Sequence, residues 1–237
     1  MKKRLFPADQ RGHADHGWLK TYHSFSFANY FNPDCMNFGV LRVLNDDFIK
    51  GGGGFGTHPH DNMEIITIPF AGDLEHKDSM GNVGLIRQGD IQVMSAGTGI
   101  LHSEYNKNQE VDVELFQIWV FPNKKDVTPR YDQISISELK TTNSWYQILS
   151  PTPDDQGVWI HQDAWFHMGD FTADTHLDYT FKNPANGLYI MVIEGTAEVG
   201  GEKLHKRDAI GLWELSSISF DVAADSQLLL MEIPLLN

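Results

Sequence analysis

Two short patterns in this chain could do chemistry together. His58-Pro59-His60 sets two imidazoles two residues apart, directly after the glycine run from Gly51 to Gly54, and His102-Ser103-Glu104 sets an imidazole and a carboxylate at the same spacing. Side chains at i and i+2 of a β-strand leave from one face, so each pattern aims two donors the same way. Two such strands side by side would offer three nitrogens and a carboxylate oxygen to one metal ion and leave coordination positions open for a substrate or oxygen. A nitrogen–oxygen donor set of this kind accepts Fe(II), Mn, Co, Ni, Cu or Zn, and spacing does not choose among them. Glu64 competes for the carboxylate role: four residues past His60 in an unbroken strand, it too would face inward, either as a ligand or orienting an imidazole from behind.

The elements that must position these residues read as strands. Phe38 to Asn45 forms one, with Asn45-Asp46-Asp47 as its end, and the glycine run follows as a loop. Glu64 to Phe70, Leu74 to Asp78, Val83 to Arg87, Ile91 to Met94, Ile100 to Glu104 and Val111 to Pro122 are strand-length and are separated by glycine and polar turns. The aromatic stretch from Gly17 to Pro33, alternating at Phe25 and Phe27, suggests a further extended strand, with His23 a hydrogen-bonded structural residue. The polar stretch to Asn143 reads as a connector whose one helical patch is Ser135 to Lys140. Beyond it, Tyr189 to Trp213 repeats the order strand, glycine turn, strand, turn, strand seen from Ile65 to Met94, which implies an internal duplication. The expected organisation is all-β: residues 1–130 as a metal-binding barrel and residues 131–237 as a second barrel without ligands. His13, His16, His76, His161, His167, His176 and His205 have no partner at ligand spacing and are expected to be structural, solvent-exposed or, for the first two, occasional scavengers.

Eighteen Lys and Arg against 32 Asp and Glu give a net charge of -14, which disfavours contact with nucleic acid or an anionic membrane. The single cysteine, Cys35, excludes an internal disulfide and fits a reducing compartment. Lys2-Lys3-Arg4 is followed at once by Pro7, Asp9, Gln10 and Arg11, with no apolar signal segment, and no run is long and apolar enough to cross a membrane as a helix. A cytoplasmic, monomeric protein is expected.

Several longer stretches carry a resemblance. Gly17-Trp18-Leu19-Lys20, the segment from His23 to Tyr30, the run from His58 to Glu64, the segment from Gly89 to Glu104 and, in the second half, Gln162-Asp163-Ala164-Trp165 together resemble the pirin family of the cupin superfamily. The resemblance implies a bicupin, two double-stranded β-helix (jelly-roll) barrels face to face. It implies one metal, usually iron as Fe(II), in the first barrel on His58, His60, His102 and Glu104, which favours Glu104 over Glu64. Similar bacterial proteins are quercetin 2,3-dioxygenases, so the implied activity is oxidative opening of a flavonol heterocycle by dioxygen with release of carbon monoxide. Glu104 would then both ligate and accept the substrate's proton, and a small planar phenol would sit in an apolar slot for which Phe25, Phe27, Phe38, Phe55 and Trp119 are candidate walls. The alternative is a non-catalytic protein that uses the metal's redox state to regulate a partner protein.

Overall fold

Apolar residues at every second position of short runs, bounded by glycine and polar turns, fold this chain almost wholly into strands. The computed structural model describes residues 1–236 and contains no α-helix among them. The first half carries β1 (Lys2–Phe6), β2 (Gly12–Asp15), β3 (Leu19–His23), β4 (Leu41–Ile49), β5 (Gly54–His60), β6 (Glu64–Ala71), β7 (Asp73–Asp78), β8 (Val83–Arg87), β9 (Asp90–Ser95), β10 (Ile100–Tyr105), β11 (Val113–Val120) and β12 (Arg130–Ser135). The second carries β13 (Trp145–Ser150), β14 (Val158–Trp159), β15 (Trp165–Phe171), β16 (Thr175–Thr180), β17 (Asn186–Glu194), β18 (Thr196–Val199), β19 (Glu202–His205), β20 (Ala209–Trp213), β21 (Ser217–Val222) and β22 (Ser226–Pro234).

These strands build two barrels of one design. The first pairs a seven-stranded sheet, β12-β9-β6-β11-β4-β3-β2, with a four-stranded sheet, β5-β10-β7-β8. The second pairs β1-β20-β17-β22-β15-β13-β14 with β16-β21-β18-β19. Setting β4 to β11 against β15 to β22 gives the same order in both, as the expected duplication requires. The molecule is a bicupin.

The edges are exchanged across the expected division at 130/131. β1 adds to β20 of the second barrel, and β12 adds to β9 of the first. Lys2, Lys3 and Arg4 read as a polar terminus because β1 is an edge strand whose only buried residue is Phe6.

Alternation along the large sheets divides their residues between two cores. On β17 and β22, Leu188, Ile190, Val192, Leu228 and Leu230 fill the second barrel, while Tyr189, Met191, Leu229 and Met231 join Leu44, Ile66, Ile68, Phe116 and Ile118 of the first barrel in a core between the two large sheets. This shared core holds the barrels face to face. Arg207, in a turn with φ +68°, reaches across it to Asp46 at 2.9 Å and Glu114 at 2.6 Å.

Three local expectations need correction. Asn45-Asp46-Asp47 does not end β4, which runs on to Ile49: Asn45 and Asp47 line a cavity in the first barrel, and Asp46 on the opposite face meets Arg11 and Arg207. The aromatic strand stops at His23, and Phe25 turns into the inter-barrel core beside Phe6 and Tyr189. The helical patch is a single 3-10 turn, Ile136–Glu138, after a strand that already includes Ser135.

Candidate metal centre

β10 is flanked by β5 on one side and β7 on the other, so its inward residues meet side chains from both. His102 lies opposite His58 on β5 and opposite Asp78 on β7, and Glu104 lies opposite His76 on β7. His60 pairs with Ile100 one step further along. The rings of His58, His60 and His102 converge, with centroids 4.4 to 4.9 Å apart, and one ring nitrogen from each lies within 4.8 Å of the other two. Glu104 does not join that group. It clusters instead with His102 and with His76, a residue for which no partner was expected.

The electrostatics suit neutral imidazoles. Burial, and then the neighbouring His58, lower His60 to about 4 and His102 to about 2, so both rings carry a free lone pair at neutral pH. His58 Nδ1 lies 2.7 Å from the Gly56 carbonyl, which fixes the ring and leaves Nε2 as its donor atom to a ligand. Burial raises the Glu104 carboxyl to about 7, with Asp47 pushing the same way and Gln117 opposing. Gln117 Nε2 donates to both Glu104 oxygens, at 3.1 and 3.2 Å.

Both ring nitrogens of His102 are buried with no hydrogen-bond partner in the protein. An unpaired buried polar group costs about 1–3 kcal/mol, and a cation bound by His102 would offset it. The donor types, their convergence and this orphaned ring fit a divalent transition metal.

A cavity of about 620 Å³ opens onto the three histidines. Its apolar wall includes Trp18, Phe27, Phe55 and Trp119, with Trp119 edge-on to both His60 and Phe27 at 4.9 and 5.3 Å. Its polar wall includes Asn45, Asp47 and His23. His23 is hydrogen-bonded to Asn45 at 2.8 Å, as expected of a structural residue, yet it lines the cavity. Of the five aromatic residues expected to wall a slot, Phe27, Phe55 and Trp119 do so, whereas Phe25 and Phe38 belong to the inter-barrel core.

Glu64 is removed from the site by a break in the strand. Asn62 takes φ +45°, β5 ends at His60, and β6 restarts at Glu64 with its face reversed. Glu64 therefore points with Ile66 and Ile68 toward the second barrel, where Ser95 Oγ donates to it at 2.6 Å. Burial raises its carboxyl to about 7.

Family models match the chain as Pirin over residues 6–120 and as the quercetinase C-terminal cupin domain over residues 147–233. The chain is 40% identical to the quercetin 2,3-dioxygenase of Escherichia coli strain K12, over 97% of this chain and 98% of that protein. It is 38% identical to a pirin-like protein of Caulobacter vibrioides, over 95% and 97%. Among solved structures, the bacterial pirin YhhW of Escherichia coli in complex with nickel(II) superposes with a TM-score of 0.93 at 39% identity, covering 99% of this chain and all of that one.

Proposed function

The chain belongs to the pirin family, and from that premise we propose that it is a metal-dependent dioxygenase that opens the heterocycle of a flavonol such as quercetin, releasing carbon monoxide. The observation that carries this reading is the convergence of three imidazoles on an aromatic-walled cavity. The volume of about 620 Å³ falls in the range of small-molecule sites. Relatives named quercetin 2,3-dioxygenase, and a relative solved with nickel(II), support the substrate class and a divalent ion. Iron as Fe(II) is part of the proposal.

His58, His60 and His102, whose ring nitrogens converge, would hold the ion, and Glu104, inward on the same strand as His102 and lining the same cavity, would be the fourth ligand. Bound there, a divalent metal would act as a Lewis acid that lowers the pKa of the substrate hydroxyl and favours its reaction with dioxygen. Glu104, its carboxyl oriented by two hydrogen bonds from Gln117, would take the hydroxyl proton. Phe27, Phe55 and Trp119 would flank the planar ring system and exclude water from the polar end of the cavity. The free cysteine, Cys35, is buried and takes no part, in keeping with a cytoplasmic setting.

The test is oxygen uptake by the Fe(II)- or Ni(II)-loaded protein with quercetin, with carbon monoxide release and loss of the flavonol's long-wavelength absorbance followed together. Repeated turnover that stops on chelation is expected. Slow or stoichiometric oxidation of the bound metal, with no turnover of any flavonol or related phenol, would transfer the reading to a redox-sensing regulator.

A further inference from the structure

We infer that the first barrel holds a second metal position, formed by His76, His102 and Glu104, on the other side of β10 from His58 and His60. It goes beyond the proposed activity, which needs no contribution from His76. One donor atom from each of these three residues lies within 4.8 Å of the other two, and all three side chains are buried, whereas His58 and His60 are half-buried.

His76 is arranged as a ligand. Its Nε2 lies 3.3 Å from Asp78 Oδ2, while its Nδ1 is buried without a partner. Asp78 is itself fixed by the backbone amides of Met80 and Asn82, at 2.9 and 3.0 Å, and by the Asn82 side chain at 2.8 Å. A carboxylate that pins one ring nitrogen and leaves the other bare is the usual outer support of a metal-binding histidine. The Tyr131 ring packs on the His76 ring with centroids 4.8 Å apart. His102, with both nitrogens unpartnered, is common to the two groups.

The two positions differ in chemistry. His58, His60 and His102 are three nitrogen donors, a set that suits Zn, Cu, Ni or Fe. His76, His102 and Glu104 are two imidazoles and a carboxylate, the donor set of non-haem Fe(II) oxygenases. Because His102 and Glu104 line the same cavity and His102 belongs to both groups, one ion at a time would occupy one side of β10 or the other.

The test removes the outer pair. The His58→Ala/His60→Ala variant, loaded anaerobically with Zn(II) and dialysed, is expected to keep one ion per chain by elemental analysis. Adding His76→Asn should abolish that binding, and adding Asp78→Asn instead should weaken it by about 10–100-fold. In nitrogen-15 spectra of the histidine rings, Zn(II) should shift His76 and His102 in the double variant. A folded double variant that holds no ion, or one whose ion survives His76→Asn, would overturn the inference. If the alanine pair fails to fold, His58→Gln/His60→Gln carries the same readouts. Turnover of quercetin by the wild-type protein alongside a metal-free double variant would defeat this inference alone and leave the proposed function standing.

Discussion

Where β10 of the first barrel turns His102 and Glu104 inward, the matching β21 of the second turns Phe220 and Val222. Phe220 pairs with Leu177 and Val199 on its two neighbours, the places that His58 and Asp78 take beside His102. With the bulge common to both barrels as the reference, β22 sends in Leu230 where β11 sends in Gln117, and Glu232 where β11 sends in Trp119. The second lumen is one continuous apolar core, whereas the first has two small apolar clusters, around Leu115 and around Ile65, with polar residues between them. Even the buried carboxylates differ. Glu232 accepts hydrogen bonds from Tyr179 and Asn186 and from the Lys182 and Asn183 amides, while Glu104 has Gln117 as its hydrogen-bond donor. One scaffold thus carries two kinds of lumen: one filled mainly by apolar side chains, and one that opens as a cavity lined by imidazoles, a carboxylate and aromatic rings. The shared core behind β6, β11 and β4 lets the second offset what the first leaves unmade.

The largest effect that could break this contrast is on metal content. His102→Ala removes the ring common to both ligand groups, so metal occupancy and turnover should both disappear. His167→Ala and His205→Ala, in the second barrel, should leave occupancy unchanged by elemental analysis. Equal losses in all three would mean that the barrels are not divided in this way. A narrower contrast lies within the first half. Glu104→Gln should abolish turnover, while Glu64→Gln, on the inter-barrel face beside Ser95, should retain metal and much of the activity. The reverse ranking in a steady-state assay would return the carboxylate role to Glu64.

Most of the fold was legible because the signals were local. Glycine turns between β-branched runs marked the strands, and the repeat from Tyr189 to Trp213 announced the second barrel. The histidine pairs were legible because i and i+2 on one strand need no knowledge of its neighbours. His76 was not, since its partners are Glu104, across a strand pair, and Asp78, two residues on, in a pattern that reads as an ordinary polar strand. Asp78 at i+2 was the one available signal. Glu64 was misplaced because a single residue at positive φ, Asn62, resets which face follows. The aromatic residues Phe25 and Phe38 were assigned to the slot because hydrophobicity alone does not say which of two cores a side chain enters.

A smaller effect separates the barrels by stability. Phe220 is fully buried in the apolar lumen, and Phe220→Ala should lower the unfolding free energy by about 3–5 kcal/mol through lost burial and a residual cavity. Metal content should stay at the wild-type level, because no ligand touches that core. Chemical denaturation with elemental analysis on the same sample checks both halves, and loss of metal together with stability would show that the second barrel shapes the site.

The finest test uses protons. In the metal-free protein the Glu104 carboxyl is raised by burial from its ordinary 4.5 to about 7. Between those values the folded state keeps a proton that the unfolded chain has released, so this group's contribution to stability falls as pH rises through the window and is level above it. Glu104→Gln removes the dependence. Relative to wild type, the variant should gain stability from about pH 4.5 to about pH 7, by at most about 3 kcal/mol. His167 in the second barrel works in the opposite sense. Burial lowers it from 6.5 to about 4, so its contribution is full above pH 6.5 and is lost as pH falls toward 4. Metal should distinguish the two. An ion on Glu104 favours the carboxylate and should remove the fall in wild-type stability between about pH 4.5 and about pH 7, while the acid-side loss that His167→Gln removes should be unchanged by metal. Urea unfolding across this pH range, with and without a divalent ion, reads both. A difference curve for Glu104→Gln that is flat without metal would show that Glu104 is not the buried, proton-holding carboxyl that the open barrel requires.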